Sequence, residues 1–496
     1  MQYNTERVGA RVTRRALLVG SVAAAASAVL AACGGGDAAT SAPATTSGIA
    51  SNVTAAAGMP TRATGTTGAA AMSAPASTAG MGAKQTITYW IEFTDQPIID
   101  TMKKLFIEPF EAKYPQYKVE MVPTSDYVRQ VQTAATAGAL PDVFNHYGPA
   151  YAPPLYDGGY LLPLDDLAAK YGWDKKIWPW MLDAVRYKGK IISLPTEYES
   201  LHLYYNADMF AKNGWKPPTS WTELTALTKQ MQDKKIIPFV FGTSGGISRH
   251  EWWLSYAMNA YAGPGALYEG LTGARPWTDD LFVGAIDHLN ELWQSGAIMD
   301  KQTAAITHDD ALAVWGKQEA AMIMDGTWRI RTVGNFAKDF KWEIARLPIW
   351  RDGVNNAWPL GCGEVLCINA KAKNPEGSAA LASWYFQDVK ELGKWIDKVP
   401  GVYAPPVNMA KEDYAPSANP LVRDLYLDFT KASDNRDFGY LLWSAWPSRT
   451  DKAMYENIDA VFLKQMTSKQ YMDKVNGIFQ EELKAGGVPQ QPKPRA

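Results

Sequence analysis

The chain has 496 residues, 47% of them hydrophobic and 12% aromatic, and a formal net charge of −2. It has no basic tail and no lysine run, which argues against nucleic acid as a partner. Cys362 and Cys367 are the only cysteines beyond Cys33, too few for a disulfide scaffold.

Arg14-Arg15 precede an Ala-rich apolar run from Ala16 to Ala32, which closes in Leu30-Ala31-Ala32-Cys33. This resembles a bacterial lipoprotein signal, in which residues 1–32 are removed and Cys33 becomes the lipidated N-terminus. The paired arginines also resemble a twin-arginine export signal, with Arg-Ala-Leu-Leu a loose match. A transmembrane anchor is the alternative, but the small residues before Cys33 fit cleavage better. The signal carries four Arg and one Glu, so the cleaved form stands near −5. Residues 33–83 are almost wholly Gly, Ala, Ser, Thr and Pro, with Asp37 and Arg62 the only charges. Such a stretch buries too little apolar surface to offset the entropy of ordering it and reads as a flexible tether.

From Lys84 onward the chain is too long for one ordinary core and predicts two domains. Thr86–Trp90 reads as a first strand, Gln96-Pro97 as a loop, and Ile98–Lys113 as a helix stopped by Pro115. Tyr117–Val122 is a second strand. Ser125 is the expected cap of a helix that ends at Gly138, and Pro141–Phe144 is a third strand, with Asn145, His146 and Tyr147 in the loop after it. Leu201–Asn206 alternates and predicts a strand with one solvent-facing side. Further helices are expected from Trp221 to Lys234, Glu251 to Ala262, Asp279 to Gln294 and Asp309 to Lys317. Strands are expected at Ile236–Phe241 and Ala320–Met324. Lys452–Lys484 reads as helices interrupted near Thr467-Ser468. Cys362 and Cys367, five apart in an extended segment, are predicted to stay unpaired. Strands alternating with helices point to an α/β fold with parallel pairing.

Four segments, in order, resemble the extracellular solute-binding protein family 1. They are Ala139-Leu140-Pro141-Asp142-Val143; Lys188 to Pro195; Leu201 to Phe210 followed by Gly214, Pro217-Pro218-Thr219 and Trp221-Thr222-Glu223-Leu224; and Gly316 to Trp328. No single segment is decisive; their order and spacing are, and the resemblance covers essentially residues 84 to 490. It implies a two-lobed periplasmic-binding-protein-like fold (type II) with the ligand cleft between the lobes. Residues 84–199 plus 364–430 would form the N-terminal lobe and 200–363 plus 431–490 the C-terminal lobe. The implied role is a substrate-binding lipoprotein of an ABC importer, a monomer that carries a sugar or oligosaccharide to membrane permease subunits without a cofactor. Cys362 departs from the family's small-residue pattern in that strand.

Sugar recognition pairs aromatic rings, which cover C–H faces, with polar groups that satisfy hydroxyls. Trp328 matches the family's cleft tryptophan, and Glu199 matches a carboxylate at the start of the crossing strand, with Glu197 a neighbouring rival. Trp90, Glu92 and Asp95 follow the first strand toward the expected rim, and His146 and Tyr147 follow the third. Of the adjacent Trp252 and Trp253, helical geometry turns only one toward a ligand. Trp443, Trp446 and Arg449 lie on the last crossing, where Arg449 offers a bidentate contact.

Enzyme signals are weak. The five histidines have no metal-ligand spacing, His250-Glu251 is not followed by the second histidine of H-E-x-x-H, and neither a nucleophile elbow nor a P-loop is present. An extracellular carbohydrate-active enzyme is the main rival reading, and a surface sugar sensor or adhesin a third.

Overall fold

The computed structural model describes residues 83–244, 250–298, 305–386, 388–399 and 404–495. The signal, Cys33 and the tether lie outside these residues, as does the Gly245-Gly246 segment before Trp252. Among the described residues no helix is long and apolar enough to cross a membrane.

A nine-stranded mixed sheet runs through the molecule. Its strands are β1 (Gln85–Ile91), β2 (Tyr117–Pro123), β3 (Val143–Tyr147), β4 (Leu194–Asn206), β5 (Ile237–Phe239), β6 (Ala320–Gly326), β7 (Trp342–Ala345), β8 (Trp358–Ile368) and β9 (Phe438–Gly439). The main path is β2-β1-β3-β8-β4-β6-β5, with β7 beside β4 and β9 beside β8. β1 pairs in parallel with β2 (Ile87↔Val119) and β3 (Tyr89↔Val143), as strands joined by helical crossovers do. β8 then runs antiparallel to both β3 and β4, so the parallel pairing expected from the sequence holds for only part of the sheet.

The long strands β4 and β8 pass between two hydrophobic cores and make the fold two-lobed. Leu201, Leu203 and Tyr205 of β4 face one core, which also holds Trp253, Trp277 and Trp446; Tyr204 faces the other, which is continuous with Ile87, Phe144 and Leu366. All thirteen residues of β4 are buried. The solvent-facing side expected of Leu201–Asn206 is therefore absent, because helices cover both faces of the sheet at this point.

Local differences have local causes. Gln96 and Pro97 belong to the first helical turn rather than to a loop: Asp95 caps it, and proline suits a position whose N–H has no partner in the helix. Ser125 is not the cap of helix Tyr127–Ala137. That place falls to Asp126, whose φ of 46° turns the chain sharply. Asn145, His146 and Tyr147 lie within β3, extended by pairing with β8, not in the loop beyond it. Asp142 is structural, accepting from the Thr88 amide and hydroxyl and from the Lys373 amide. Cys362 and Cys367 are free and buried.

Candidate functional site

The site is assembled where β4 and β8 cross between the cores. Gly361 pairs with Glu199 and Glu364 with Glu197, and the register shifts on either side of Glu364. A Cβ at Gly363 would overlap the Glu199 carboxyl, so glycine is what lets that side chain lie across β8. From the last crossing, Trp443 donates its indole N–H to Glu199 Oε2 at 3.2 Å. Ser444, the next residue, accepts from the Cys362 amide at 2.8 Å and ties the same turn to β8.

Trp328, packed on the second core, stands beside Trp443. Its ring lies 6.0 Å from Trp443, edge-on, and 5.2 Å from Trp252. It is carried by the short turn after β6 and folds back over Gly326, where a Cβ would collide with it. Behind it, Asp325 accepts from Arg329 Nε at 2.9 Å and lies 2.6 Å from His308 Nε2. Burial alone would raise the Asp325 carboxyl, but His308 and Arg329 beside it hold it well below the usual range. His308 in turn packs edge-on against Trp252 at 4.8 Å. A buried ionic network thus fixes the turn that presents Trp328.

Carboxyls gather where β4 and β8 pair. Glu199, Glu197 and Glu364 are 9%, 3% and 5% exposed. Glu364 accepts from the Tyr127 hydroxyl at 3.0 Å and shares a side-chain hydrogen bond with Glu92. Burial, then repulsion from Glu92, Glu197 and Glu199, pushes the Glu364 carboxyl far up; burial pushes Glu199 up to about 8, against the bond from Trp443. Burial thus favours the protonated form of both, which can donate as well as accept. Burial lowers His146 to about 4, so its ring is uncharged where it stacks on Tyr151 at 5.5 Å. Tyr147 packs edge-on against Tyr127 at 4.7 Å.

The structure brings Trp328, Glu199, Trp443 and Trp252 together, with Glu92 joined to them through Glu364. His146 and Tyr147 lie against Tyr127 beside Glu364, and the remaining sequence candidates lie elsewhere. Trp253 is buried against Phe239 and Phe241, so of the adjacent pair only Trp252 reaches the cluster. Trp446 is fully buried against Trp277 at 5.3 Å. Arg449 points outward and pairs with Glu481 at 2.7 Å. Asp95 is exposed and capping, and Trp90 packs on the first core. Glu364 and Tyr127 were missed as site residues. A lone acid in the apolar run Pro359–Ile368 was the available signal for Glu364; Tyr127 carried none.

Comparisons with known proteins agree with this architecture. The sequence profile of bacterial extracellular solute-binding proteins matches residues 106–423. The chain is similar to the multiple sugar-binding protein of Streptococcus mutans, 23% identical over 357 residues that cover 70% of this chain and 80% of that protein. It is similar to the diacetylchitobiose-binding protein of Streptomyces coelicolor over a shorter stretch, 28% identical over 130 residues, 25% of this chain and 28% of that one. Among solved structures, a chitin oligosaccharide-binding protein superposes with a TM-score of 0.67 at 22% identity, covering 81% of this chain and 100% of that chain. A binding protein in complex with raffinose gives 0.61 at 20% identity over 81% and 100%. These likenesses show a shared fold, and the profile match shows the kinship: the chain belongs to the bacterial extracellular solute-binding protein family.

Proposed function

We propose that this protein captures a sugar or oligosaccharide outside the cytoplasm and hands it to the permease of an ABC importer. The observation that carries the reading is the grouping of Trp328, Trp443 and Glu199: two indoles from different segments beside a buried carboxyl. Rings of this kind cover the C–H faces of a pyranose, while neutral carboxyls exchange hydrogen bonds with hydroxyls in both directions. Relatives named for sugar binding support the same substrate class.

Capture works by lobe closure. A ligand held on one lobe recruits groups from the other and shifts the population toward the closed form. The lobes are drawn at 84–199 plus 364–430 and 200–363 plus 431–490, and Cys33 carries the lipid that holds a monomer at the membrane. A thermal-shift screen of the chain from Lys84 onward against oligosaccharides, amino acids and peptides tests the substrate class. Selective stabilisation by a saccharide supports it, and stabilisation by peptides alone overturns it.

One observation favours a second reading, a carbohydrate-active enzyme. Glu199 and Glu364 are two buried carboxyls in one site, and a carboxyl pair, one as acid and one ionised, is what glycoside hydrolysis uses. Recovery of bound sugar unchanged after prolonged incubation separates capture from turnover.

A further inference from the structure

Two arginines leave the turn that presents Trp328, and they differ in what satisfies them. Arg329 is fully engaged, by Asp325 at 2.9 Å and by Asp309 at 3.2 Å. Among the described residues Arg331, on helix Ile330–Phe336, has a 3.3 Å bond from Nη1 to the Trp328 carbonyl and the face of Phe93, whose centroid lies 5.9 Å away. Its Nε is buried with no hydrogen-bond partner among the described residues. A guanidinium carries five donors in a rigid fork, and leaving a buried one unmet is costly.

The surroundings keep this charge in place without satisfying it. Burial and the neighbouring Arg329 weaken its hold on its proton, while Glu197, Asp95 and Glu92 across the site strengthen it from a distance. Glu92 and Phe93 lie just past the end of β1 at Ile91, so ring and guanidinium meet beside Trp328. Arg331 thus sits beside Trp328 with a buried donor that no described residue satisfies.

We propose that Arg331 is a ligand-contacting residue, donating to acceptor oxygens of the bound saccharide opposite the glutamates. Ring, glycosidic and acyl carbonyl oxygens are the matching chemistry, since they accept and have no proton to give. The glutamates then take the hydroxyl side of the sugar and Arg331 the ether or carbonyl side, which fixes its orientation. This assignment rests on the sugar-binding reading.

The test uses Arg331→Met, which keeps an apolar stem, and Arg331→Lys, which keeps the charge but loses the fork. Both are titrated calorimetrically with diacetylchitobiose, raffinose and xylotriose, and melted without ligand. A group that is unmet in the free protein contributes little to its stability, so Arg331→Met is expected to melt within about 2 °C of the unmodified protein. Its affinity for whichever sugar the unmodified protein binds is expected to fall at least about tenfold, with Arg331→Lys recovering only part. Unchanged affinity in Arg331→Met overturns the assignment. So does a ligand-free melting point many degrees lower, which would make Arg331 a structural clamp. Silence of the unmodified protein toward all three sugars overturns the sugar reading, and with it the ligand class assigned to Arg331.

Discussion

The indole N–H of Trp443 donates to Glu199 Oε2 at 3.2 Å, joining the last crossing segment of the chain to the first. Because the bond favours the charged carboxylate while burial opposes it, the pair sets both the position and the protonation of Glu199. Trp443→Phe keeps an aromatic face and removes the donor. It is expected to weaken sugar affinity by about fivefold to tenfold, the worth of one net hydrogen bond. Calorimetry on Trp443→Phe, Glu199→Gln and the double variant checks this. The double variant is expected to lose less than the sum of the two, because the residues act as a unit.

Gly363 is the second element of the same arrangement. Gly363→Ala puts a methyl group where the Glu199 carboxyl lies, so either that side chain or the β8 backbone has to move. A loss of stability of about 1–3 kcal/mol is expected from the overpacking. Sugar affinity should fall by at least tenfold in the same variant, a loss that a merely softened fold would not produce at temperatures where it stays folded. Urea denaturation together with titration calorimetry measures both.

Trp328 and Trp446 should part company on substitution. Trp328 is half-buried between Trp252 and Trp443, whereas Trp446 is fully buried against Trp277. Trp328→Ala is expected to weaken sugar binding at least tenfold while leaving the protein folded. Trp446→Ala is expected to cost about 3–5 kcal/mol of stability, the range for deleting a large buried aromatic. Equal effects of the two on affinity in folded protein would contradict this division.

Stability should depend on pH with a definite sign. Glu199 holds its proton up to about 8 when folded, against an ordinary 4.5, so unfolding releases a proton between those values. Its contribution to stability therefore falls as pH rises from about 4.5 to about 8 and is flat beyond. Burial raises Asp451 to about 8 from 3.8, and it acts in the same direction. His146 works oppositely: lowered from 6.5 to about 4, it costs stability as pH falls through that window. Above 6.5 only the carboxyls remain in play, so the melting temperature should drop between pH 6.5 and 8. Glu199→Gln should flatten that drop, and calorimetric scans at constant ionic strength read it.

The sequence made most of the elements legible because their signals are local. Asp279 caps helix Asp280–Gln294, Thr307 closes a capping box on Asp310, and Thr467 starts the last helix where the pattern breaks. The burial of both faces of β4 was not legible, since alternation in Leu201–Asn206 is the same whether one face meets water or a second layer. Trp328, Glu199, Trp443 and Trp252 were nameable as residues, but their convergence depends on strand register and on the two glycines beneath Glu199 and Trp328. Trp446 shared with Trp443 its residue type and its place on the last crossing, and Arg449 shared that place. The helical turn from Leu442 to Ala445 points Trp443 toward Glu199 and leaves Trp446 in the core. Glu364 was not legible because its neighbours come from distant segments, Tyr147 of β3 and the hydroxyl of Tyr127 at the start of a helix.

The most direct test of the central claim is titration calorimetry of the chain from Lys84 onward with the saccharide that stabilises it most in a thermal screen, followed by chromatography of the recovered sugar. Saturable one-to-one binding, sharply weakened in Trp328→Ala and with the sugar returned intact, is the predicted result. Hydrolysed sugar, or the absence of any saccharide binding alongside a response to peptides or amino acids, would contradict it.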